Sequence, residues 1–318
     1  MLKIMSTEKI LKTIYYDPNH PAGFSSAEKL FRAALLKRKT ITRKEVNQFL
    51  QSQMTYSIHH PVKMKFKRRK TFAKYLDHIW QADLIDFQKH ARINKGFRYV
   101  LTVIDILSRY AFAIPVKNKT GKSMVSAFTH IFSKNKRVPK KLQTDNGGEF
   151  YNGTFKSFLK QKHIIHYSSF SDTKAALVER FNRTLKNKIY KYFTFHDTKK
   201  YIEVLPQIVN SYNNTVHSAH GLAPANVTKR NQKKIWKILY ENHLNKPQRT
   251  PKFNVGDLVR ISKTRKQFQK GYEERYTREI FVIDKVKFTK PPTYEIKDNN
   301  NEKIIGSFYE QELIKIRL

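Results

Sequence analysis

WQADLIDF (80–87), FRYVLTVID (97–105) and RYAFAIPV (109–116) are the stretches on which the fold turns. Each is rich in β-branched, aliphatic and aromatic side chains, which suit a pleated and at least half-buried surface. Short turns holding Gly96 and Ser108 separate them, so they read as three successive strands of a meander. Downstream the pattern changes. A helix is predicted from about Gly121 to Phe132, then a short strand KKLQTD (140–145) opening on a Gly-rich loop. A helix near 154–161, a strand HIIHYS (163–168), a long helix over about 174–192 and another over about 198–213 follow. Three antiparallel strands followed by strands alternating with helices predict an α/β domain with a mixed sheet, spanning 71–245.

The flanks differ from this core and from each other. Residues 1–70 read as helical. Ser25 or Ser26 can cap a helix from Ala27 to Lys37 with Leu30, Phe31 and Leu35 as its apolar stripe, and Thr42 can cap another carrying Val46, Phe49 and Leu50. Two such helices suit either a helix-turn-helix or a small packing domain. The basic run MKFKRRK (64–70) reads as a linker lying on phosphate. Residues 250–318 hold FNVGDLVRIS (253–262), REIFVIDKVK (278–287), PPTYEIKD (291–298) and EKIIGSFY (302–309), short strands that predict a small β-barrel. Of Tyr272, Tyr276, Phe281, Phe288 and Tyr294, most are expected in that barrel's core. An aromatic cage for a methylated lysine is the competing reading of these rings, and binding of the DNA backbone by the barrel's cations is the favoured one.

Charge narrows the partner. Lys and Arg number 63 against 25 Asp and Glu, a net of +38 that repels itself unless a polyanion neutralises it. Nucleic acid is the usual polyanion; a ribosome-like or membrane-surface protein is the alternative. The absence of cysteine excludes disulfides and thiolate zinc sites. No apolar run of membrane-spanning length and no secretory signal is seen, so the protein is expected to be soluble and intracellular.

Three acids stand where chemistry would want them. Asp83 lies inside the first core strand between Ala82 and Leu84, where a carboxylate is costly unless paired or bound to a cation. Asp145 ends a short strand and opens DNGGEF, which is also a turn signal in its own right. Glu179 lies on the long helix and could simply pair with Arg183 one turn on. Asp86 is three residues from Asp83 and should point to the opposite sheet face; Asp105 closes the second strand and either supports the site or starts a turn. On the long helix Leu177, Val178, Phe181, Leu185 and Ile189 form the predicted core stripe. Glu179, Asn182, Arg183 and Lys186 are expected on the other side, with Arg183 and Lys186 placed to meet phosphate.

The order strand-Asp, strand-end-Asp and helix-Glu, with Glu179 34 positions after Asp145, resembles the DDE catalytic core of retroviral-type integrases. WQADLIDF, LQTDNGGEF and ALVERFNRTLKNKI carry the resemblance, joined by SRY (108–110) and SYNNTVH (211–217). The segments YYDPNHPAGFSSAEKLFRAA (15–34), TITRKEVNQFLQSQMTYSIHHPVK (40–63) and PPTYEIKDNNNEKIIGSFYEQEL (291–313) resemble the flanks of Polinton/Maverick transposon and virophage integrases. The resemblance implies an RNase H-like core, a helical N-terminal domain and an SH3-like or chromodomain-like barrel. It implies 3′-end processing and strand transfer of viral or transposon DNA, with two Mg²⁺ or Mn²⁺ ions per site held by Asp83, Asp145 and Glu179. Asp83 would bridge both ions, the Gly147-Gly148 pair would let the loop past Asp145 flex, and Arg183 and Lys186 would grip the donor DNA. It further implies a homo-oligomer on double-stranded DNA, expected to be a tetramer. Chromatin contact through the C-terminal module and residence in a host nucleus or virion complete the picture. One departure is plain: retroviral integrases carry a His/Cys zinc domain at the N-terminus, and without cysteine His59 and His60 do not belong to such a site. Two other classes stay open from the residues alone, a non-catalytic domesticated DNA-binding protein and a nuclease of the same fold.

Overall fold

In the computed structural model, residues 6–63, 66–168, 176–245, 247–263 and 272–317 are described here. The described residues from Lys70 to Pro247 make one compact unit; those up to Arg69 and from Gln248 onward make the other.

The meander forms as the alternation predicts. Strands β1 (Ile79–Asp86), β2 (Tyr99–Asp105) and β3 (Ala111–Val116) are antiparallel neighbours. Helix α5 (Gly121–Asn135), strand β4 (Lys141–Thr144), helix α6 (Gly153–Gln161) and strand β5 (Ile165–Ser168) follow. Strand β4 pairs parallel to β1 and β5 parallel to β4, giving the mixed order β3-β2-β1-β4-β5. The even-numbered residues Trp80 and Ala82 of β1 bury against α5 and α6, together with Leu101, Val103, Phe128 and Phe155. The opposite face of β1, with Ile85, buries against α7 (Ala176–Phe195) and α8 (Leu205–Asn214) through Val178, Phe181, Leu185 and Ile208. The sheet is thus a filling between two helical layers, and parity along β1 decides which layer each side chain meets.

Two helices of the core differ from the sequence reading. Helix α8 starts at Leu205 rather than near 198, because Pro206 is at home only in a first turn. Helix α9 (Gln232–Leu244) was not anticipated; its Ile235, Leu239 and Tyr240 close a third cluster with Ile79, Ile106 and Leu107. Residues 174–175, expected at the start of α7, lie outside the described residues.

In the other unit, helices α1 (Thr7–Tyr15), α2 (Ala27–Lys37), α3 (Arg43–Ser52) and α4 (Met54–His59) bury Leu11, Leu30, Phe31, Val46 and Leu50 together. Ser26 caps α2, and Thr42 with Glu45 forms a reciprocal capping box on α3, as the sequence indicates. Strands β6 (Leu258–Ile261), β7 (Phe281–Lys287), β8 (Thr293–Lys297), β9 (Phe308–Tyr309) and β10 (Leu313–Lys315) form an antiparallel sheet of order β10-β6-β7-β8-β9. Gly256, at φ 88°, turns the chain into β6 where a side chain would be strained. Of the five aromatics, Tyr276, Phe281 and Tyr294 are buried, whereas Tyr272 and Phe288 are exposed. The flanks, read as two domains in sequence, here form one unit with two cores: the backbone N–H groups of Arg275 and Tyr276 both donate to Ile58 O. The expected basic linker is also tied down. Phe66 lies on Tyr309, Arg68 pairs with Glu312, and Arg69 N donates to the Tyr309 hydroxyl; residues 64–65 lie outside the described residues.

Candidate active site

Strand pairing brings the two aspartates together. Parallel strands β1 and β4 align Ile79 with Lys141, Trp80 with Leu142 and Gln81 with Gln143. The pairing stops two residues short of Asp83 and Asp145, and the charge of Asp145 acts on Asp83. The Gln81 Nε2 group donates to Gln143 Oε1 at 3.0 Å, confirming that these neighbours share a face. The same glutamine's Oε1 accepts from the backbone N–H of Leu177 at 3.1 Å and Val178 at 3.2 Å. These are orphan donors of the first turn of α7, the turn that carries Glu179.

Asp83 is half-buried and accepts from Leu84 N and, through Oδ2, from Asn182 Nδ2, both at 2.8 Å. Burial raises its pKa, and the negative charges of Asp145 and Glu149 push the same way. Bonding to Leu84 N and the charge of Lys186 lower it. Asp83 is therefore a desolvated carboxylate facing other carboxylates, an arrangement that a cation would relieve. Behind it, Thr144 Oγ1 donates to Asp145 O at 2.7 Å and meets His166 Nε2 at 2.9 Å. Because the hydroxyl has one proton, His166 must donate from Nε2. Burial, aided by Lys156, pushes the His166 pKa down to about 4, so it stands neutral behind the strand end.

The loop after Asp145 is a bonded turn. Gly147 N donates to Asp145 Oδ1, Gly147 O accepts from Phe150 N and Tyr151 N, and Phe150 is fully buried. A Cβ on Gly147 would stand 2.8 Å from the Glu149 carboxyl, so glycine lets that acid fold back toward the site. Glu179 stands exposed on the first turn of α7, and Arg183 and Lys186 are exposed on the same helix with no ion pair among the described residues. Among the described residues, no three of His, Asp and Glu stand close enough to hold one metal ion. The structure thus brings Asp83 close enough to Asp145 for the two charges to act on each other. The hard oxygen donors of that pair fit a cation such as Mg²⁺ or Mn²⁺ by chemistry.

Asn182 corrects the sequence reading. It was expected on the solvent side, yet it is buried in the row Val178, Phe181, Asn182, Leu185 and Ile189. It follows Val178 by four residues, so helical phase places it inward although its chemistry suggests otherwise. Gln81 and Gln143 were also missed. Their signal was present as a repeated Gln-x-Asp, 81–83 and 143–145. Of the rival acids, Asp86 has the parity of the opposite face and is exposed. Asp105 is wholly buried and starts the turn: its Oδ2 accepts from Ser108 N at 2.8 Å and Ser108 Oγ at 2.5 Å. The SRY and SYNNTVH motifs hold the frame. Arg109 takes a left-handed φ of 65° and bonds Ile106 O, while the Asn213 amide clamps both N and O of Ala111 at 2.9 Å.

Residues 76–170 match the family model described as the integrase core domain. The chain is similar to a transposon-derived protein of Caenorhabditis elegans, 34% identical over 194 residues, which cover 61% of this chain and 65% of that protein. It is also similar to the Pol polyprotein of Radiation murine leukemia virus, 25% identical over 229 residues, covering 60% of this chain and 39% of the polyprotein. The chain thus spans about two-thirds or less of these relatives' own length. In fold it is similar to a chain of the simian T-cell lymphotropic virus intasome, solved by cryo-EM in complex with a PP2A regulatory subunit. That match has TM-score 0.64 and 18% identity, and covers 92% of this chain and 99% of that one.

Proposed function

We propose that this chain, which carries an integrase core domain over residues 76–170, is a DNA integrase that processes element ends and joins their 3′-OH groups to target DNA. The observation that supports the proposal is the parallel pairing of β1, which carries Asp83, with β4, which Asp145 follows: the two charges act on each other, and Asn182 of α7 is bonded to Asp83. Glu179, exposed at the start of that helix, is the third carboxylate of the proposed set. Asp83, Asp145 and Glu179 would hold Mg²⁺ or Mn²⁺, which supplies charge stabilisation to the attacking and leaving oxygens.

The chain's own residues do the rest. Asn182 fixes the rotamer of Asp83 and favours its ionised form. Gln81 ties the first turn of α7 to the sheet, so Glu179 is carried on a pinned helix. Arg183 and Lys186 hold the phosphates of the donor end, as their exposure on α7 permits. An oxygen nucleophile, water or a DNA 3′-OH, attacks phosphorus in line, one P–O bond forms as another breaks, and no protein nucleophile is required. Because two ends must be joined to one target, the chain is proposed to act as a homo-oligomer, a tetramer, on DNA in a host nucleus or virion. Kinship with Polinton/Maverick and virophage integrases, and a chromatin contact through the barrel, belong to the same proposal.

A strand-transfer assay on a DNA end with a free 3′-OH tests it. The wild-type chain should join ends to target in Mg²⁺ or Mn²⁺, while Asp83→Asn and Glu179→Gln should bind DNA and not join it. Near-normal joining by either variant removes that residue from the site. Sedimentation with paired ends should show an oligomer, and a joining-competent monomer would overturn the assembly.

A further inference from the structure

A second cationic surface lies at the other end of β4. A groove of about 840 Å³ opens where the chain enters β1 and β4, between Tyr75–Asp77, Lys136–Lys140, the turn at Lys162–His163 and Pro224–Lys229. Lys140 and Asp145 are five residues apart on an extended strand, so the groove is about 17 Å along it from the aspartates. Lys136, Lys140, Lys162 and Lys229 line it, all exposed and none in an ion pair among the described residues. The groove's lining acid is already neutralised: Asp77 is bound by Arg137 Nη2 at 2.6 Å, and that guanidinium also lies 4.9 Å from the Tyr110 ring. Val227 packs in a core cluster with Leu76, and Pro139 and Pro224 are buried, whereas Tyr75, Val138 and Ala225 of the lining are exposed. What the groove offers to a partner is four lysine ammonium groups around the exposed Tyr75 and Val138 side chains.

We infer that this groove binds the phosphodiester backbone of a DNA duplex at a second place on the core, separate from the strand held near Asp83. The inference rests on the integrase reading for its choice of DNA, and on the groove's own charge for its position. Exposed lysines around a concavity favour a repeating anion without reading its sequence. An acidic peptide is the competing partner. The same lysines attract it, so the choice of DNA between the two rests on the integrase reading and is decided by the test below.

The test uses the full chain carrying Asp83→Asn, so that binding is read without turnover. Lys140→Ala, Lys162→Ala and Lys229→Ala together should reduce affinity for a duplex of unrelated sequence. They should also make the slope of log affinity against log salt shallower by about 2.7, at about 0.9 per lost phosphate contact. A photo-crosslinking benzophenone side chain at the exposed Val138 should label that duplex. An unchanged slope with no DNA cross-link overturns the inference. So does a cross-link to a polyglutamate peptide that DNA does not displace, which would assign the groove to an acidic protein. Strand transfer by the wild-type chain reads the integrase proposal separately: joining without a groove cross-link defeats only the groove, and a cross-link without joining defeats only the enzyme.

Discussion

Replacing Asn182 by leucine should separate the stability of α7 from the state of Asp83. The wild-type side chain is buried, gives Asp83 Oδ2 a hydrogen bond of 2.8 Å, and leaves its own Oδ1 buried without a partner among the described residues. Losing a bond to a charged group costs about 1.5–3 kcal/mol, and removing an unpaired buried carbonyl returns about 1–3 kcal/mol. Leucine has a similar volume and joins Phe181 and Leu185 in the core row, so the variant should unfold within about 2 kcal/mol of wild type. Activity should respond differently. Burial already raises the Asp83 pKa, and removing a donor that favours the carboxylate raises it further. Strand transfer should fall about 10–100-fold, the range for residues that orient a metal ligand. The acidic limb of its pH profile should move to higher pH, because a larger share of Asp83 stays protonated. Urea unfolding and joining rates across the neutral range are the measurements. A stability loss above about 3 kcal/mol with an unmoved acidic limb would make Asn182 a packing residue only. Unchanged joining would show that it does not position Asp83 at all.

Gln81→Leu should destabilise by about 2–5 kcal/mol in urea unfolding, because it strips partners from Leu177 N, Val178 N and Gln143 Oε1 at once. Adding Gln143→Leu should recover part of that loss, and a pair no more stable than the single variant would refute the network. His166, held down at about 4 by burial, should show no imidazole titration near its ordinary 6.5 by NMR. Its contribution to stability is present above 6.5 and is lost as pH falls through about 4. Asp105 has the opposite sign: burial raises it to about 6, so its contribution is full below the ordinary 3.8 and is lost as pH rises through 6. A carboxyl carbon titrating near 4 would contradict that burial. Arg137→Ala should cost about 2–3 kcal/mol by chemical unfolding, below the range for a fully buried pair because Arg137 and Asp77 are each about one-fifth exposed. A loss under about 0.5 kcal/mol would show the Asp77 pair to behave as a surface pair.

Much of the architecture was local in origin and legible as such. Alternation along 80–116 gave three strands, Ser26 and Thr42 announced helix starts, and the parity of β1 separated Asp83 from Asp86. These follow from periods of 2.0 and 3.6 residues, which neighbouring positions set by themselves. Pairing is not local. Nothing between 80 and 145 states that β4 lies beside β1, or that Gln81 meets Gln143; burial on both faces of one sheet selects that register from many. The same long-range packing turned Asn182 inward to Asp83 and joined Asp77, Asp105 and Arg137 at one end of the central strands. It also brought the N- and C-terminal flanks into one compact unit. The sequence by itself determined which residues share a face and which acids are costly to bury. Tertiary structure decided which of them meet, because a strand's neighbour is chosen by the apolar surface the whole sheet must hide, and no single segment carries that information.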